Sequence, residues 1–95
     1  MKELKIVKKT ERELILEIRG EDHTLGNLFA KEALNHPDVT YAAYRIPHPL
    51  QDRLEIYISF REGADMSKVL REIHDRIQKY LQDFMREVEV KISEA

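Results

Sequence analysis

Apolar and polar positions alternate one by one at the start of the chain: Leu4, Ile6 and Lys8 against Lys5 and Val7, then Leu14, Leu16 and Ile18 against Glu13, Ile15, Glu17 and Arg19. Successive side chains of a strand point to opposite faces, so a period of two predicts two half-buried strands. The short polar stretch Lys9-Thr10-Glu11-Arg12 between them predicts an antiparallel hairpin, closed by Gly20. The period then lengthens. Leu25, Leu28, Phe29, Ala33 and Leu34 share one helical face, behind Asp22 or Thr24 as a cap that can accept an unpaired first-turn N–H. Asn35-His36-Pro37 ends this helix, because proline disfavours helical geometry in the residue before it.

Alternation returns from Val39 to Ile46, with Val39, Tyr41 and Ala43 on one face and Ala42, Tyr44 and Ile46 on the other. Neither face is strongly polar, so the second face is expected to meet a crossing helix or a partner. Leu54, Ile56, Ile58 and Phe60 alternate with Glu55, Tyr57, Ser59 and Arg61, a strand with one wet face. From Asp65 the spacing is helical again: Met66, Val69, Leu70, Ile73, Ile77, Tyr80, Leu81, Phe84 and Val88, with Gly63 as the break and Asp65 as the cap. A helix from about Asp65 to about Glu87 is ~35 Å long at 1.5 Å per residue. A compact chain of this size, with a radius of gyration of ~12 Å, is only ~32 Å across. The helix therefore spans the sheet and projects past it. Val88-Glu89-Val90-Lys91-Ile92 also alternates, but no breaker precedes it, and a fraying helix end is predicted rather than a fifth strand.

The order strand, strand, helix, strand, strand, helix predicts a single α+β domain over residues 1–95. Its parts are a four-stranded antiparallel sheet and two helices packed on it, the C-terminal one long. Ninety-five residues bury only a modest core, which leaves room for a partner to matter. Leu81, Phe84, Met85 and Val88 lie at the far end of the long helix; they either fold back onto the chain's own core or meet a partner helix, and the helix length favours the partner.

Sixteen Lys and Arg against eighteen Asp and Glu leave no basic field to hold nucleic acid, so no direct contact with it is expected. No cysteine is present, which removes disulfides, thiol catalysis and thiolate metal sites together. With no apolar run long enough for a membrane span or signal peptide, a cytoplasmic protein is expected. His23, His36, His48 and His74 are scattered, and no phosphate-cradling glycine loop exists, so neither metal nor cofactor is expected. A small hydrolase built on Asp22 and His23 lacks a nucleophile. His23 is better read as a residue of the cap region and His74 as one of the solvated side. Arg45 is either a snorkelling edge residue or half of an ion pair across an interface.

Two stretches carry recognition rather than chemistry. Pro47-His48-Pro49-Leu50 is stiff, since two prolines fix φ, and loses little entropy on docking; it serves either as a contact loop or as a rigid connection. Gly26, in the first turn of the first helix, is less stable there than alanine by roughly 0.5–1 kcal/mol. Its missing Cβ admits a close approach, either from the chain's own core or from another subunit.

Glu21-Asp22-His23-Thr24-Leu25-Gly26-Asn27, followed at a fixed separation by Tyr41-Ala42-Ala43-Tyr44-Arg45-Ile46-Pro47-His48-Pro49-Leu50, resembles the small alpha-like subunit family of RNA polymerases, archaeal subunit L. That family is related to the amino-terminal dimerisation domain of bacterial alpha. The resemblance covers nearly the whole chain; Ala43 departs from it, since relatives often carry glycine there. It implies a non-catalytic subunit of DNA-directed RNA polymerase, pairing with the larger alpha-like subunit, the archaeal D subunit, as the platform for the catalytic subunits in transcription. The partner interface it implies comprises His23, Thr24, Leu25, Gly26, Asn27, Leu28 and Phe29, with Pro47, His48, Pro49 and Leu50, and Tyr80, Leu81 and Phe84. Gly26→Leu is then expected to weaken pairing without unfolding the chain. The alternative is a homodimeric module that binds a small molecule or acts as an adaptor.

Overall fold

In the computed structural model, which describes residues 3–48 and 50–94, the alternating segments become strands and the longer-period segments helices. The order is β1 (Leu4–Lys9), β2 (Glu13–Arg19), α1 (His23–Leu34), β3 (Val39–Arg45), β4 (Arg53–Phe60) and α2 (Met66–Glu94). The four strands form one antiparallel sheet in the order β1-β2-β4-β3, as the sequence predicts for composition and direction. Both helices lie on one face of it. Leu14 of β2, Ala42 of β3 and Leu54, Ile56, Ile58 and Phe60 of β4 form the floor of the core; Ala33 of α1 and Val69 and Ile73 of α2 close it from above. Each large side chain sealed here contributes about 1.5–3 kcal/mol.

Three expectations are corrected. The pleat of β3 is not regular: Val39 lies opposite Phe60, yet Tyr41 lies opposite Ser59, so Thr40 is an extra residue. This bulge puts Val39 on the core face with Ala42 and Tyr44, not on the face of Tyr41. Tyr41 is exposed and leans on Tyr57, ring centroids 6.0 Å apart. The strand β1 is not half-buried. It is the outermost strand beyond the reach of the helices, and Leu4, Ile6 and Val7 are each at least half exposed. A second bulge falls at Val7, between the pairs Ile6 with Leu16 and Lys8 with Ile15. Finally, α2 does not fray at Glu87 but continues to Glu94, through the segment that also alternates. Its 29 residues make ~44 Å of helix. The eight residues of β4 make only ~27 Å of strand, so α2 overshoots the sheet and the chain is 51 Å long.

Local chemistry sets each helix end. Asp22 is the N-cap of α1, its Oδ1 accepting the Thr24 N–H at 2.9 Å. Asp65 does the same for α2, accepting the Lys68 N–H at 3.3 Å. At the far end of α1 the His36 imidazole is almost sealed from solvent. Its Nδ1 accepts the Asp38 N–H at 3.0 Å, so its Nε2 carries the hydrogen and donates to Glu72 Oε1 of α2 at 2.9 Å. His36 thus ties the α1–β3 turn to α2.

The other face of the sheet is polar. Arg53 pairs with Glu17, and Arg45 with Glu55 at 2.9 Å. Arg45 is therefore occupied across β3 and β4 within the chain, and of the two readings of it the ion pair is found, but inside the chain and not across an interface. The Tyr57 hydroxyl donates to Glu13 at 2.7 Å. That bond, with help from Lys8, holds the Glu13 carboxyl below its ordinary value and raises the Tyr57 phenol above its own.

Candidate partner-binding surface

The residues expected to meet a partner separate into three groups. At the start of α1, His23, Thr24 and Asn27 are exposed, whereas Leu25 and Phe29 turn inward and pack against the core. Leu28 is half-buried. Gly26 is buried beneath Tyr44 and Leu54, so the close approach it admits comes from this chain's own sheet and not from another subunit. Above the glycine, His23 Nδ1 lies 3.2 Å from the Tyr44 hydroxyl, with the two rings edge to face at 5.7 Å. His23 thus partners Tyr44 and orients the helix start, and it forms no acid–base pair with Asp22, whose carboxylate caps the helix.

The second group is the loop. Leu50 is 91% exposed and His48 is exposed, while Pro47 is half-buried and Pro49 lies outside the described residues. Leu50 lines the same depression as Asp22 and His23, so the loop and the start of α1 are neighbours.

The third group, on α2, meets the first. Tyr80 shares a shallow groove with His23, Thr24, Asn27, Leu28 and Tyr44, between α1 and α2. Leu81 and Phe84 continue from Tyr80 along the helix, 43% and 55% exposed. Past Ile77 only Val88 is even half-buried among the described residues of α2, and Met85 and Ile92 extend the apolar stripe to the helix end. Ile92 lies beyond the helix end that spacing predicts, so the sequence does not single it out as an interface residue. Nor does it single out Leu4 and Ile6. They pair with Ile18 and Leu16, share the core face of the sheet, and form an apolar margin that no helix covers.

This arrangement suits burial rather than catalysis: a flat groove, one capped helix start, and a helix that carries large apolar side chains out into solvent. Among the described residues, no group of three His, Cys, Asp or Glu could hold a metal ion. No helix among them is long and apolar enough to cross a membrane.

Known proteins agree with the geometry. A DNA-directed RNA polymerase subunit Rpo11 from Aeropyrum pernix is 30% identical over 88 residues, spanning 90% of this chain and 87% of the relative. Its counterpart from Methanothrix thermoacetophila is 40% identical over 86 residues, spanning 90% and 93%. The crystal structure of DNA-directed RNA polymerase subunit L from Thermoplasma acidophilum superposes with a TM-score of 0.75, at 24% identity over 96% of this chain and 89% of that one; it shares the fold. Residues 13–87, from β2 through most of α2, match the family model of the RNA polymerase Rpb3/Rpb11 dimerisation domain. A subunit-sized fold, an overshooting apolar helix and relatives of full length under one name converge: the chain belongs to the Rpb3/Rpb11 dimerisation-domain family, as an RNA polymerase subunit of the Rpb11 or L type.

Proposed function

We propose that this chain is a non-catalytic assembly subunit of DNA-directed RNA polymerase. It pairs with the larger alpha-like subunit, the archaeal D subunit, and the pair is the cytoplasmic platform on which the two catalytic subunits gather. The observation that carries this reading is the distal half of α2, where Tyr80, Leu81, Phe84, Met85 and Ile92 are exposed and none of them packs into the chain's own core. Covering such side chains is favourable by about 25 cal/mol per Å² of apolar surface. A partner that binds only the folded chain also stabilises it.

Each residue has a part in this pairing. His23, Thr24, Asn27 and Leu28 form one wall of the groove and Tyr80 the other, a socket for a partner side chain. Asp22 fixes the direction of α1 by capping it, and Gly26 lets α1 sit close against Tyr44 and Leu54. Leu81 and Phe84 supply the apolar centre of the interface, and Pro47, His48, Pro49 and Leu50 its edge. Leu25 and Phe29 act indirectly, by seating α1 on the sheet.

Co-expression with an archaeal larger alpha-like subunit and size-exclusion chromatography test the proposal. A one-to-one complex is expected; separate elution of the two folded proteins would refute it.

A further inference from the structure

Residues four apart on a helix stand on one face, one above the other. Along the line where α1 meets α2, three such positions face each other in opposite directions: His36, just past the end of α1, with Glu32 and Leu28, against Glu72, Arg76 and Tyr80. The first two pairs are closed. His36 Nε2 donates to Glu72 Oε1 at 2.9 Å, and Arg76 Nε lies 3.4 Å from Oε2 of Glu32, a glutamate whose side chain is only 14% exposed. The third is open: Leu28 and Tyr80 line opposite walls of the groove, to which Glu32 also contributes. Glu72 and Arg76 do not line it.

Two rows of side chains hold the base of α2. Val69, Ile73 and Ile77 pack in or against the core and set its height above the sheet. Glu72 and Arg76 stand about a quarter-turn around the helix from that row and hold it sideways against α1. Polar bonds suit this second task, because they have a preferred length and direction whereas apolar contact is non-directional. No described residue past Ile77 belongs to the core cluster, so the free half of α2 inherits its direction from this base. From Arg76 to Ile92 is ~24 Å of helix, and a tilt of ~5° at Arg76 carries Ile92 sideways by ~2 Å. Close-packed surfaces do not absorb a misfit of that size.

From this we infer that Glu72 and Arg76 are positioning residues for pairing: their bonds to α1 fix the opening between Leu28 and Tyr80 and the direction in which the free half of α2 points. The inference rests on the proposed pairing surface and adds to it two residues that act from outside it.

Arg76→Ala and Arg76→Glu test this, because the Arg76 side chain is 53% exposed and its loss is expected to change the melting temperature little. The chain has no cysteine, so spin labels on Leu34→Cys and Arg86→Cys, both exposed positions, report the separation of α1 from the free half of α2. The chain with Arg76 intact is expected to give one narrow distance distribution and Arg76→Ala a broader one. Arg76→Glu, which sets two carboxylates face to face, is expected to give the broadest. In titration calorimetry with an archaeal larger alpha-like subunit, the dissociation constant is expected to rise about 3–5-fold in Arg76→Ala and at least ~10-fold in Arg76→Glu. Glu72→Gln, whose carbonyl still accepts from His36, is expected to match the unsubstituted chain in both measurements. Unchanged distances in the Arg76 variants, or undiminished affinity, would overturn the inference alone. Failure of the unsubstituted chain to bind that subunit would overturn the proposed function, and the inference with it.

Discussion

The ring of Tyr44 fills the space into which any side chain at Gly26 would grow: a Cβ there would stand 2.5 Å from Cδ2 and 2.6 Å from Cγ of that ring, and 2.9 Å from Cδ1 of Leu54. Both ring atoms belong to the base of the side chain, which cannot swing aside, and Leu54 is wholly buried. Overpacking of this kind costs about 1–3 kcal/mol, more than alanine gains over glycine in a helix. Gly26→Ala should therefore lower the melting temperature by several degrees, and Gly26→Leu should prevent folding of the isolated chain. This reverses the expectation that Gly26→Leu weakens pairing without unfolding the chain. Thermal unfolding followed by circular dichroism checks both.

Phe84 is the opposite case, a large side chain with little of its own fold around it. Phe84→Glu and Leu81→Glu should leave the melting temperature of the free chain nearly unchanged, within about 0.5 kcal/mol, as for surface substitutions. They should weaken the complex with the larger alpha-like subunit by at least ~30-fold. Titration calorimetry on the purified pair, beside a melt of the free variant, separates the two effects.

His36 makes two bonds from one sealed ring. His36→Ala leaves the Asp38 N–H without its acceptor and Glu72 without its donor, and should destabilise the fold by about 1–3 kcal/mol, the usual cost of orphaning a buried polar group. Urea unfolding measures it, and His36→Asn, whose carbonyl can accept the Asp38 N–H, should recover part of the loss.

Stability should depend on pH through Tyr57 and Glu13. The folded-state pKa of Glu13 lies below its ordinary 4.5, first because of the Tyr57 hydrogen bond and then because of Lys8. Its contribution is thus complete above pH 4.5 and fades as pH falls through the lowered value. Tyr57 is raised above 10.0, chiefly by the same bond, so its contribution is complete below pH 10.0 and fades as pH rises through the raised value. Tyr57→Phe should flatten the melting temperature against pH at both extremes while leaving Lys8 beside Glu13 to keep a remnant at the acid end.

Element order, helix caps and the start of α2 were legible because each rests on local signals: a change of period, an Asp before a helix, a Pro after one; the end of α2 at Glu94 was not, since Val88-Glu89-Val90-Lys91-Ile92 also alternates. The bulge at Thr40 was not, since no residue type announces it; the pairing of Val39 with Phe60 is decided by which face needs a large side chain. The exposure of β1 was hidden for a similar reason. Alternation tells which residues share a face, but whether that face is roofed depends on sheet order and on where the helices lie. The candidate surface divides likewise. The apolar stripe of α2 could be read from spacing, whereas the neighbour of Gly26 could not, because Tyr44 is distant in sequence and reaches it only through the fold.

The outer rail of the sheet has a bearing on how the subunit waits. A bare strand edge invites other strands to add to it without limit, and here the invitation is blunted by a kink at Val7 and by Lys5, Lys8 and Lys9, whose like charges repel a second rail of the same kind. Sheet growth into fibres is discouraged on the side the helices leave bare, so an idle pool of the subunit can stay dissolved until its partner is made.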